Sequence, residues 1–315
     1  METNKKNEKN GEIEDFIIEK VKKVFPDEDI KIKEIHRLGG LTNTNYYVET
    51  EDKKLVVRFA GIGANDLVNR KEECLNNKIG CDLGLNAYCY YFDENDGTKI
   101  AKYIENAKYI TEEDVEDTLN LTLVANALLK LHNAKIVMKN DFDIIGMLSH
   151  YENLMEKKKG IYPSDYKTVK SGVLKLYQKI KDKYGFENIG CHNDTLKENF
   201  VKEKDEKIYL MDWEYAGNND PAWDLTSYIS ESNLSEKAVN EFLNIYYKGD
   251  LRESNIEKIK FFTVFQDFIW SVWAFIKVAE GDDFYEYGIE RYKRCKRNIE
   301  RLEKSENTKI SEMME

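Results

Sequence analysis

The sequence predicts an α+β fold of two lobes, in which a small lobe built on a β-sheet precedes a larger, mainly helical lobe. Roughly the first hundred residues combine short β-type segments with two helical ones, whereas from Thr111 onward the hydrophobic residues mostly follow a helical period. The chain has 315 residues, and 41% of them are hydrophobic, which is enough apolar material for a real core. We place the N-terminal lobe at residues 12–103 and the C-terminal lobe at residues 104–303.

The N-terminal lobe is expected to combine two helices with a small antiparallel sheet. Apolar residues follow a helical period from Glu12 to Val24, and Pro26 ends that helix. Asp66 is a good N-cap for a second helix, which we extend to about Ile79. Short runs of β-type residues predict further strands at 30–35, 45–49, 54–59, 87–92 and 98–104.

The C-terminal lobe contains two buried helical stripes, and both ends of the chain are polar. The first stripe is formed by aliphatic residues at helical spacing, which are Leu121, Val124, Leu128 and Leu131. The second stripe covers residues 261–278 and is rich in aromatic side chains. Residues 1–11 and 304–315 have almost nothing to bury, so we expect both segments to be disordered.

The composition argues against several classes of function. The net charge of −11 speaks against a nucleic-acid partner, because phosphate backbones require a basic surface, and it is compatible with a cationic substrate. No segment approaches the ~20 apolar residues that cross a bilayer, and the polar N-terminus lacks the apolar core of a signal peptide. The five cysteines are scattered without a CxxC pair, which indicates free thiols in a reducing compartment. We therefore expect a cytoplasmic protein without a membrane partner.

The most informative motif is HNDTLKENF at residues 192–200. It matches the HxDxxxxN pattern of the catalytic loop of kinase-like phosphotransferases. Phosphoryl transfer requires a carboxylate that orients the acceptor hydroxyl and accepts its proton, and Asp194 supplies one. The amide of Asn199 offers an oxygen ligand for magnesium, and His192 is expected to hold the loop in shape through hydrogen bonds.

A second carboxylate follows at the end of a strand. The segment IYLMDWE alternates apolar residues and leads to Asp212, where kinase-like enzymes hold their main magnesium ligand. Any one of these residues alone would more often be a surface charge or a satisfied core residue. The ordered set of His192, Asp194, Asn199 and Asp212 is difficult to obtain by chance, and it predicts a phosphotransferase that uses ATP and Mg²⁺.

The N-terminal lobe carries residues suited to phosphate binding. Gly39 and Gly40, in LGGLTNTNYYV at 38–48, allow backbone N–H groups to approach phosphates, although Gly-Gly between strands is more often only a hairpin turn. Arg58 stands within an apolar strand, and Glu73 on the following helix could fix its position. The alternative is a surface ion pair, which would contribute little.

Together these segments resemble the choline/ethanolamine kinase family, and within it the choline kinases of the bacterial LicA type. The resemblance covers the chain from about residue 15 to residue 303. It is carried by GGLTNTNYYV, VVRFAG, NRKEECLN, YFDENDGTKIAKYI, LLKLHNA, HNDTLKEN and MDWEYAGNNDPAWDLTSYISE. The family lies within the wider aminoglycoside phosphotransferase superfamily, so the resemblance implies a two-lobed, protein-kinase-like fold.

The resemblance also implies roles for individual residues. Asp194 would be the catalytic base, and Asn199 and Asp212 the magnesium ligands. Arg58, paired with Glu73, would bind the ATP phosphates. The nucleotide would further contact a glycine-rich loop and a segment whose backbone holds the adenine, which comprise Gly39, Gly40, Thr42, Asn43, Asn45, Tyr103, Ile104 and Glu105.

Two details refine the resemblance. The cation in VVRFAG is Arg58 where protein kinases have the lysine of VAIK, and neither DFG nor APE follows, since DWE stands at Asp212. These differences argue against a protein substrate. Asp224 matches a structural aspartate of the family, which we expect to anchor the catalytic loop, and His132 is expected to pack behind that loop.

An aromatic group in the C-terminal half points to choline as the substrate. A quaternary ammonium donates no hydrogen bonds, so it is recognised by cation–π contacts and a compensating negative charge. Trp270 and Trp273 lie on one face of a helix, and the resemblance adds Tyr287, Glu231 and Tyr215 to the same cage. The alternative is that the tryptophans only belong to the core, as aromatic stripes at helical spacing usually do.

The sequence therefore predicts the transfer of a phosphoryl group from ATP to choline, which gives ADP and phosphocholine. One alternative is a kinase of ethanolamine, an aminoglycoside or thiamine on the same fold. A second is a catalytically silent binding protein, which the presence of Asp194, Asn199 and Asp212 disfavours. The sequence leaves the oligomeric state open, a homodimer included, and it does not decide whether the product enters phospholipid metabolism or surface-polymer decoration.

Overall fold

The protein divides into two compact units. The computed structural model describes residues 2–26, 30–39, 43–60, 68–204, 207–304 and 309–314. The first unit comprises residues 1–108 and 209–215, and the second comprises residues 109–208 and 216–315. The predicted boundary between residues 103 and 104 therefore falls a few residues early. The segment that carries Asp212 belongs to the first unit, which a local pattern does not reveal because it depends on tertiary packing.

The first unit is built on an antiparallel sheet, as predicted. Its elements are α1 (Glu2–Val24), β1 (Ile32–Gly39), β2 (Asn43–Thr50), β3 (Lys54–Ala60), α2 (Arg70–Asp82), β4 (Cys89–Phe92) and β5 (Lys99–Lys102). The strands lie in the order β1–β2–β3–β5–β4, and every neighbouring pair is antiparallel. Short runs of β-type residues thus located each strand, with bounds that differ by a few residues.

One face of this sheet packs against α1. Val21 of α1, Leu55 and Val57 of β3 and Ile100 of β5 are fully buried in one apolar cluster. Because side chains alternate between the faces of a strand, Arg58 points away from this cluster. The same alternation that builds the core therefore places a cation on the opposite face of β3.

Both helices of the first unit begin where the sequence did not predict. α1 begins at Glu2, so the segment 1–11, which was expected to be disordered, is largely helical. Glutamate and lysine are good helix formers even without an apolar face, which explains this extension. The predicted N-cap Asp66 lies outside the described residues, and α2 is capped by Asn69, whose side chain accepts hydrogen bonds from the first turn.

The second unit is mainly helical, as predicted. Its helices are α3 (Thr118–Asn133), α4 (Ile144–Lys157), α5 (Tyr166–Tyr184), α6 (Pro221–Glu231), α7 (Glu236–Tyr247), α8 (Glu253–Glu280) and α9 (Tyr285–Lys304). Short strands accompany them, which are β6 (Ala107–Tyr109), β7 (Ile189–Cys191), β8 (Phe200–Glu203), β9 (Lys207–Leu210) and β10 (Gly217–Asn219). β7 pairs with β10, and a three-stranded sheet has the order β6–β8–β9. The chain passes from one unit to the other within β6 and β9.

α8 is the central helix of the second unit and contacts α4, α5, α6 and α9. Among the described residues, this helix is long and apolar enough by composition to cross a membrane, which corrects the expectation that no segment comes close. However, 89% of its apolar window is buried inside the protein. A helix that is apolar on all sides is typical of a core helix surrounded by others.

Residues 309–314 pack against the second unit, although they belong to the segment 304–315 that was expected to be disordered. Within residues 309–314, Met313 is fully buried, and its carbonyl accepts a hydrogen bond from Asn298 Nδ2 at 2.6 Å. Arg294 Nη1 donates to the carbonyl of Met314 at 3.3 Å. The segment is polar on average, so its composition does not indicate that these two methionines are buried against α9.

Candidate active site

Arg58 is the centre of a buried charge network in the first unit. Its Nη2 forms an ion pair with Glu73 of α2 and donates to the carbonyl of Gly97 at 3.1 Å. Its Nη1 lies 3.2 Å from Oδ1 of Asp212. The side chain is only 4% exposed, so these contacts are not those of a surface ion pair. The structure therefore brings together three residues that the sequence predicted to act on the nucleotide and the metal.

Arg70 and Glu214 belong to the same network, although the sequence analysis did not single them out. Arg70 Nη1 lies 2.5 Å from Glu73 Oε2 and 3.4 Å from Glu214 Oε2. Burial, together with the negative charges of Asp212 and Glu73, raises the pKa of Glu214 to about 8. The DWE triplet held a signal for Glu214, since an acidic residue two positions after Asp212 stays close to it in the turn that follows β9.

Lys99 is a further buried cation that sequence reasoning missed. It lies directly across from Arg58 in the β3–β5 pair, and its Nζ is 3.5 Å from Oδ1 of Asn77. Burial and the neighbouring charge of Arg58 lower the pKa of Lys99. The register of β3 and β5 brings the two cations together, and that register is not readable from either strand alone.

The carboxylates of this network fit a magnesium ion. Oxygen atoms of Glu73, Asp212 and Glu214 lie within 4.8 Å of one another. Hard divalent cations prefer oxygen ligands, and two arginines already offset part of the negative charge. Asp212 itself adopts a positive φ of 62°, at the sharp turn that ends the strand and carries its side chain toward Arg58.

Trp213 fixes the position of Asp212 within the first unit. Its indole N–H donates to the carbonyl of Leu210 at 2.8 Å, and the Leu210 N–H donates to the carbonyl of Leu85 at 2.7 Å. The indole packs against α2 where Gly80 has no side chain, since a Cβ there would lie 2.4 Å from the ring. Trp213, the residue next to Asp212, is therefore held in place against α2.

The predicted nucleotide-binding segments lie at two places in the first unit. Gly39 has a positive φ of 124°, and its carbonyl accepts a hydrogen bond from Asn45 Nδ2 at 3.2 Å, while Asn43 is buried. Gly40 and Thr42 lie outside the described residues.

The second place is the segment that follows β5. Tyr103 N–H donates to the carbonyl of Lys54 at 3.0 Å, and Glu105 pairs with the same lysine at 2.8 Å. Ile104 lies between them. These contacts attach the segment to the start of β3, the strand that carries Arg58.

Asp224 holds the catalytic loop of the second unit, as the sequence predicted. Its side chain accepts hydrogen bonds from the backbone N–H groups of His192 at 2.8 Å and Asn193 at 2.7 Å. Thr195 Oγ1 donates to its carbonyl at 2.6 Å, and His132 Nε2 contacts its carboxylate at 3.0 Å. These hydrogen bonds fix the loop to the first turn of α6. His192, which begins the loop, is fully buried.

Asp194 and Asn199 form one hydrogen-bonded unit within this loop. Asn199 Nδ2 donates to the carbonyl of Asp194 at 2.8 Å and to its Oδ2 at 3.1 Å. This orientation leaves the amide oxygen of Asn199 as the atom suited to a cation. Two of the predicted catalytic groups therefore support each other directly.

An aromatic cluster lies within electrostatic range of Asp194. The centroid of the Trp273 ring lies 5.0 Å from that of the Phe284 ring and 6.5 Å from that of the Tyr287 ring, and both pairs have edge-to-face geometry. Trp270 is on the same helix and is 9% exposed. Desolvation and the negative charge of Asp194 raise the pKa of Tyr287. Phe284 was missed by the sequence analysis, although it lies three residues before Tyr287, directly ahead of α9.

Glu231, the carboxylate predicted for the cage, is already paired with a cation of the protein. It forms an ion pair with Arg291 of α9, which also contacts Asp267 of α8 at 3.1 Å. An arginine sixty positions along the chain gives no local signal of this pairing. Tyr215 lies in a 3₁₀ turn of the first unit, whereas the other four predicted cage residues belong to the second.

Comparison with known proteins shows the family to which the chain belongs. A sequence model of the choline/ethanolamine kinase family matches residues 33–255. The protein LicA of Haemophilus influenzae is 29% identical over 273 residues, which cover 84% of this chain and 79% of LicA. The crystal structure of the choline kinase LicA from Streptococcus pneumoniae is 31% identical, with a TM-score of 0.80 and coverage of 92% of this chain and 99% of that one.

A second LicA structure, in complex with AMP, is 30% identical, with a TM-score of 0.76 and coverage of 90% and 97% of the two chains. The family match extends over more than half of the chain and includes both the catalytic loop and Asp212. The fold of the solved relatives confirms the kinase-like architecture. The chain is therefore an ATP-dependent phosphotransferase of the choline/ethanolamine kinase family.

Proposed function

We propose that this enzyme transfers the γ-phosphate of ATP to the hydroxyl of choline, giving phosphocholine and ADP. The observation that carries the proposal is the cluster of Trp273, Phe284 and Tyr287 within electrostatic range of Asp194. A trimethylammonium group has no N–H to donate, so aromatic faces and one nearby negative charge suit it. The similarity to LicA choline kinases supports the same substrate.

The residues of the two units have distinct roles in this proposal. Asp194 orients the choline hydroxyl and accepts its proton as the phosphoryl group is transferred. Arg58 binds the phosphates of ATP, and the backbone of Tyr103–Glu105 holds the adenine. Positioning and electrostatics supply most of the catalysis in this class of reaction.

We further propose that Mg²⁺ is bound by Asp212 and Asn199, with Glu214 as an additional carboxylate. When bound, the ion offsets negative charge on the phosphates. Carboxylate and amide oxygens are the ligands that Mg²⁺ prefers. We place the enzyme in the cytoplasm, which the absence of disulfides among Cys74, Cys81, Cys89, Cys191 and Cys295 supports.

The test is the initial rate of ADP release with ATP and Mg²⁺ against choline, ethanolamine, thiamine and kanamycin. We expect the highest kcat/KM with choline. Trp273→Ala should raise the KM for choline roughly 10-fold, because a cation–π contact contributes about 0.5–2 kcal/mol. Tyr285→Ala is the matched control, since Tyr285 is exposed on the same helix as Tyr287. Preference for another amine, with Trp273→Ala without effect, would refute the choline assignment and leave the kinase.

A further inference from the structure

A group of four charged residues, buried or half-buried, connects α6, α8 and α9, and we call it the Arg291 cluster. Asp267 of α8 accepts a hydrogen bond from Arg291 Nη1 at 3.1 Å. It also accepts from Arg294 Nε at 2.8 Å and Arg294 Nη2 at 2.6 Å. Arg291 pairs in addition with Glu231 at the end of α6. Two carboxylates and two guanidinium groups balance, so the cluster has no net charge.

Arg291 makes the contacts that the sequence assigned to a cationic substrate. Its guanidinium carbon lies 4.9 Å from the centroid of the Tyr287 ring, within the range of a cation–π interaction. The same guanidinium holds the carboxylate of Glu231. Arg291 is only 6% exposed, so solvent has little access to its guanidinium. At the edge of the aromatic cluster, Arg291 thus contacts one aromatic face and pairs with one carboxylate.

We propose that Arg291 is a positioning residue that sets the preference of the site among amines. By pairing with Glu231, it withholds that carboxylate from the substrate as a hydrogen-bond acceptor. A primary ammonium has three N–H donors to satisfy, whereas a quaternary ammonium has none. Withholding the acceptor therefore penalises ethanolamine more than choline. This inference rests on the proposed function, since it takes an amino alcohol in the aromatic cluster as the substrate.

The experiment compares kcat and KM for choline and ethanolamine at saturating ATP in four variants. Arg291→Met keeps much of the side-chain length and releases Glu231. We expect the ratio of kcat/KM for ethanolamine to that for choline to rise roughly tenfold, mainly through the KM for ethanolamine, because the carboxylate can now accept a charge-assisted hydrogen bond. In the double variant Arg291→Met/Glu231→Gln, the ratio should return close to the wild-type ratio. Lys293→Met is the matched control, an exposed cation on the same helix that pairs with Glu290.

Several outcomes would overturn the proposal. If Arg291→Met reduces kcat/KM for both amines by one factor, or if the ratio stays high in the double variant, the cluster only supports the fold. Since loss of a buried arginine can impair folding, thermal melting and the KM for ATP are measured for each variant. Glu231→Gln alone gives an independent test, because replacing a withheld carboxylate should change the ratio less than about twofold, and a larger change contradicts the proposal.

The same measurements separate this inference from the proposed function. A wild-type enzyme that prefers ethanolamine would refute choline as the substrate. The change of the ratio on removal of Arg291 would still decide the inference about that residue.

Discussion

At the scale of single residues, Asp194 is the group whose chemistry is most directly testable. Asp194→Asn keeps the size of the side chain and removes its capacity to accept a proton. We expect kcat to fall by ~10²–10⁴-fold, the range typical of general acid–base catalysis, with little change in the KM for ATP. The measurement is steady-state ADP release. Full turnover in this variant would show that another group receives the proton.

Asp224 supports the same loop without contacting the reacting atoms. Its carboxylate accepts hydrogen bonds from two backbone N–H groups and contacts His132. An amide in its place would put an NH₂ group opposite one of these partners, where two donors cannot form a hydrogen bond. We expect Asp224→Asn to lower the free energy of unfolding by about 2–4 kcal/mol and to lower kcat as well.

The check on Asp224→Asn is chemical denaturation together with kinetics. Asp250→Asn serves as the control, because Asp250 is exposed and pairs with Arg252 on the surface. Equal effects of the two substitutions would contradict the anchoring role of Asp224.

The candidate catalytic residues could be proposed from the sequence, whereas their buried partners could not. Asp194, Asn199 and Asp212 occur at fixed spacing within short motifs, and this spacing led to the prediction of their roles. The pairing of Glu231 with Arg291 joins two helices that are distant in the chain. Such a contact follows from tertiary packing, and the charge of Glu231 alone suggested a substrate ligand instead.

At the scale of elements, the packing of α2 against Trp213 predicts the effect of one added methyl group. Gly80→Ala places a Cβ 2.4 Å from the indole, so Trp213 and the neighbouring Asp212 must shift. We expect a loss of about 1–3 kcal/mol in the free energy of unfolding and a higher KM for ATP.

Gly172→Ala provides the matched control for this substitution. Gly172 also lies within a helix, but a Cβ there would be 3.5 Å from its nearest neighbour, which is ordinary contact. This change should stabilise the protein by about 0.5–1 kcal/mol, because alanine is the better helix former. If both variants melt alike, the contact with Trp213 does not constrain α2.

Strands were easier to predict than helix ends. In β3, Leu55 and Val57 alternate with Arg58, and this pattern specified the strand, its buried face and the direction of the cation. The start of α1 carries no such pattern, because the sequence of its first residues contains no apolar stripe. Helix propensity without an apolar face is a weak signal, so the extension to Glu2 was not predicted.

At the scale of the whole molecule, the C-terminal segment is expected to contribute to stability. Met313 is fully buried, so Met313→Ala should lower the free energy of unfolding by about 2–5 kcal/mol. Lys309→Ala is the control, since Lys309 pairs with Glu236 at the surface and should matter by less than about 0.5 kcal/mol. Thermal melting distinguishes the two, and equal melting temperatures would mean that the segment adds nothing.

The sequence predicted two lobes and their composition, whereas the grouping of one segment with the first unit depends on tertiary packing. Residues 209–215 follow the catalytic loop in the chain, yet they pack with the first unit through Leu85 and Gly80. A single boundary along the sequence cannot describe a later segment that packs with the first unit again. The β-rich and helical compositions of the two lobes, in contrast, are local properties and were read correctly.

The position of α8 in the chain has a consequence for synthesis. This helix is apolar on nearly every side, and one of the helices that cover it is α9, which follows it. While the ribosome has completed α8 but not α9, a strongly apolar surface is open to the surroundings. Partly made chains of this kind attract chaperones and aggregate when those are scarce. The nascent enzyme is therefore most vulnerable in the interval before Tyr285–Lys304 emerge from the ribosome.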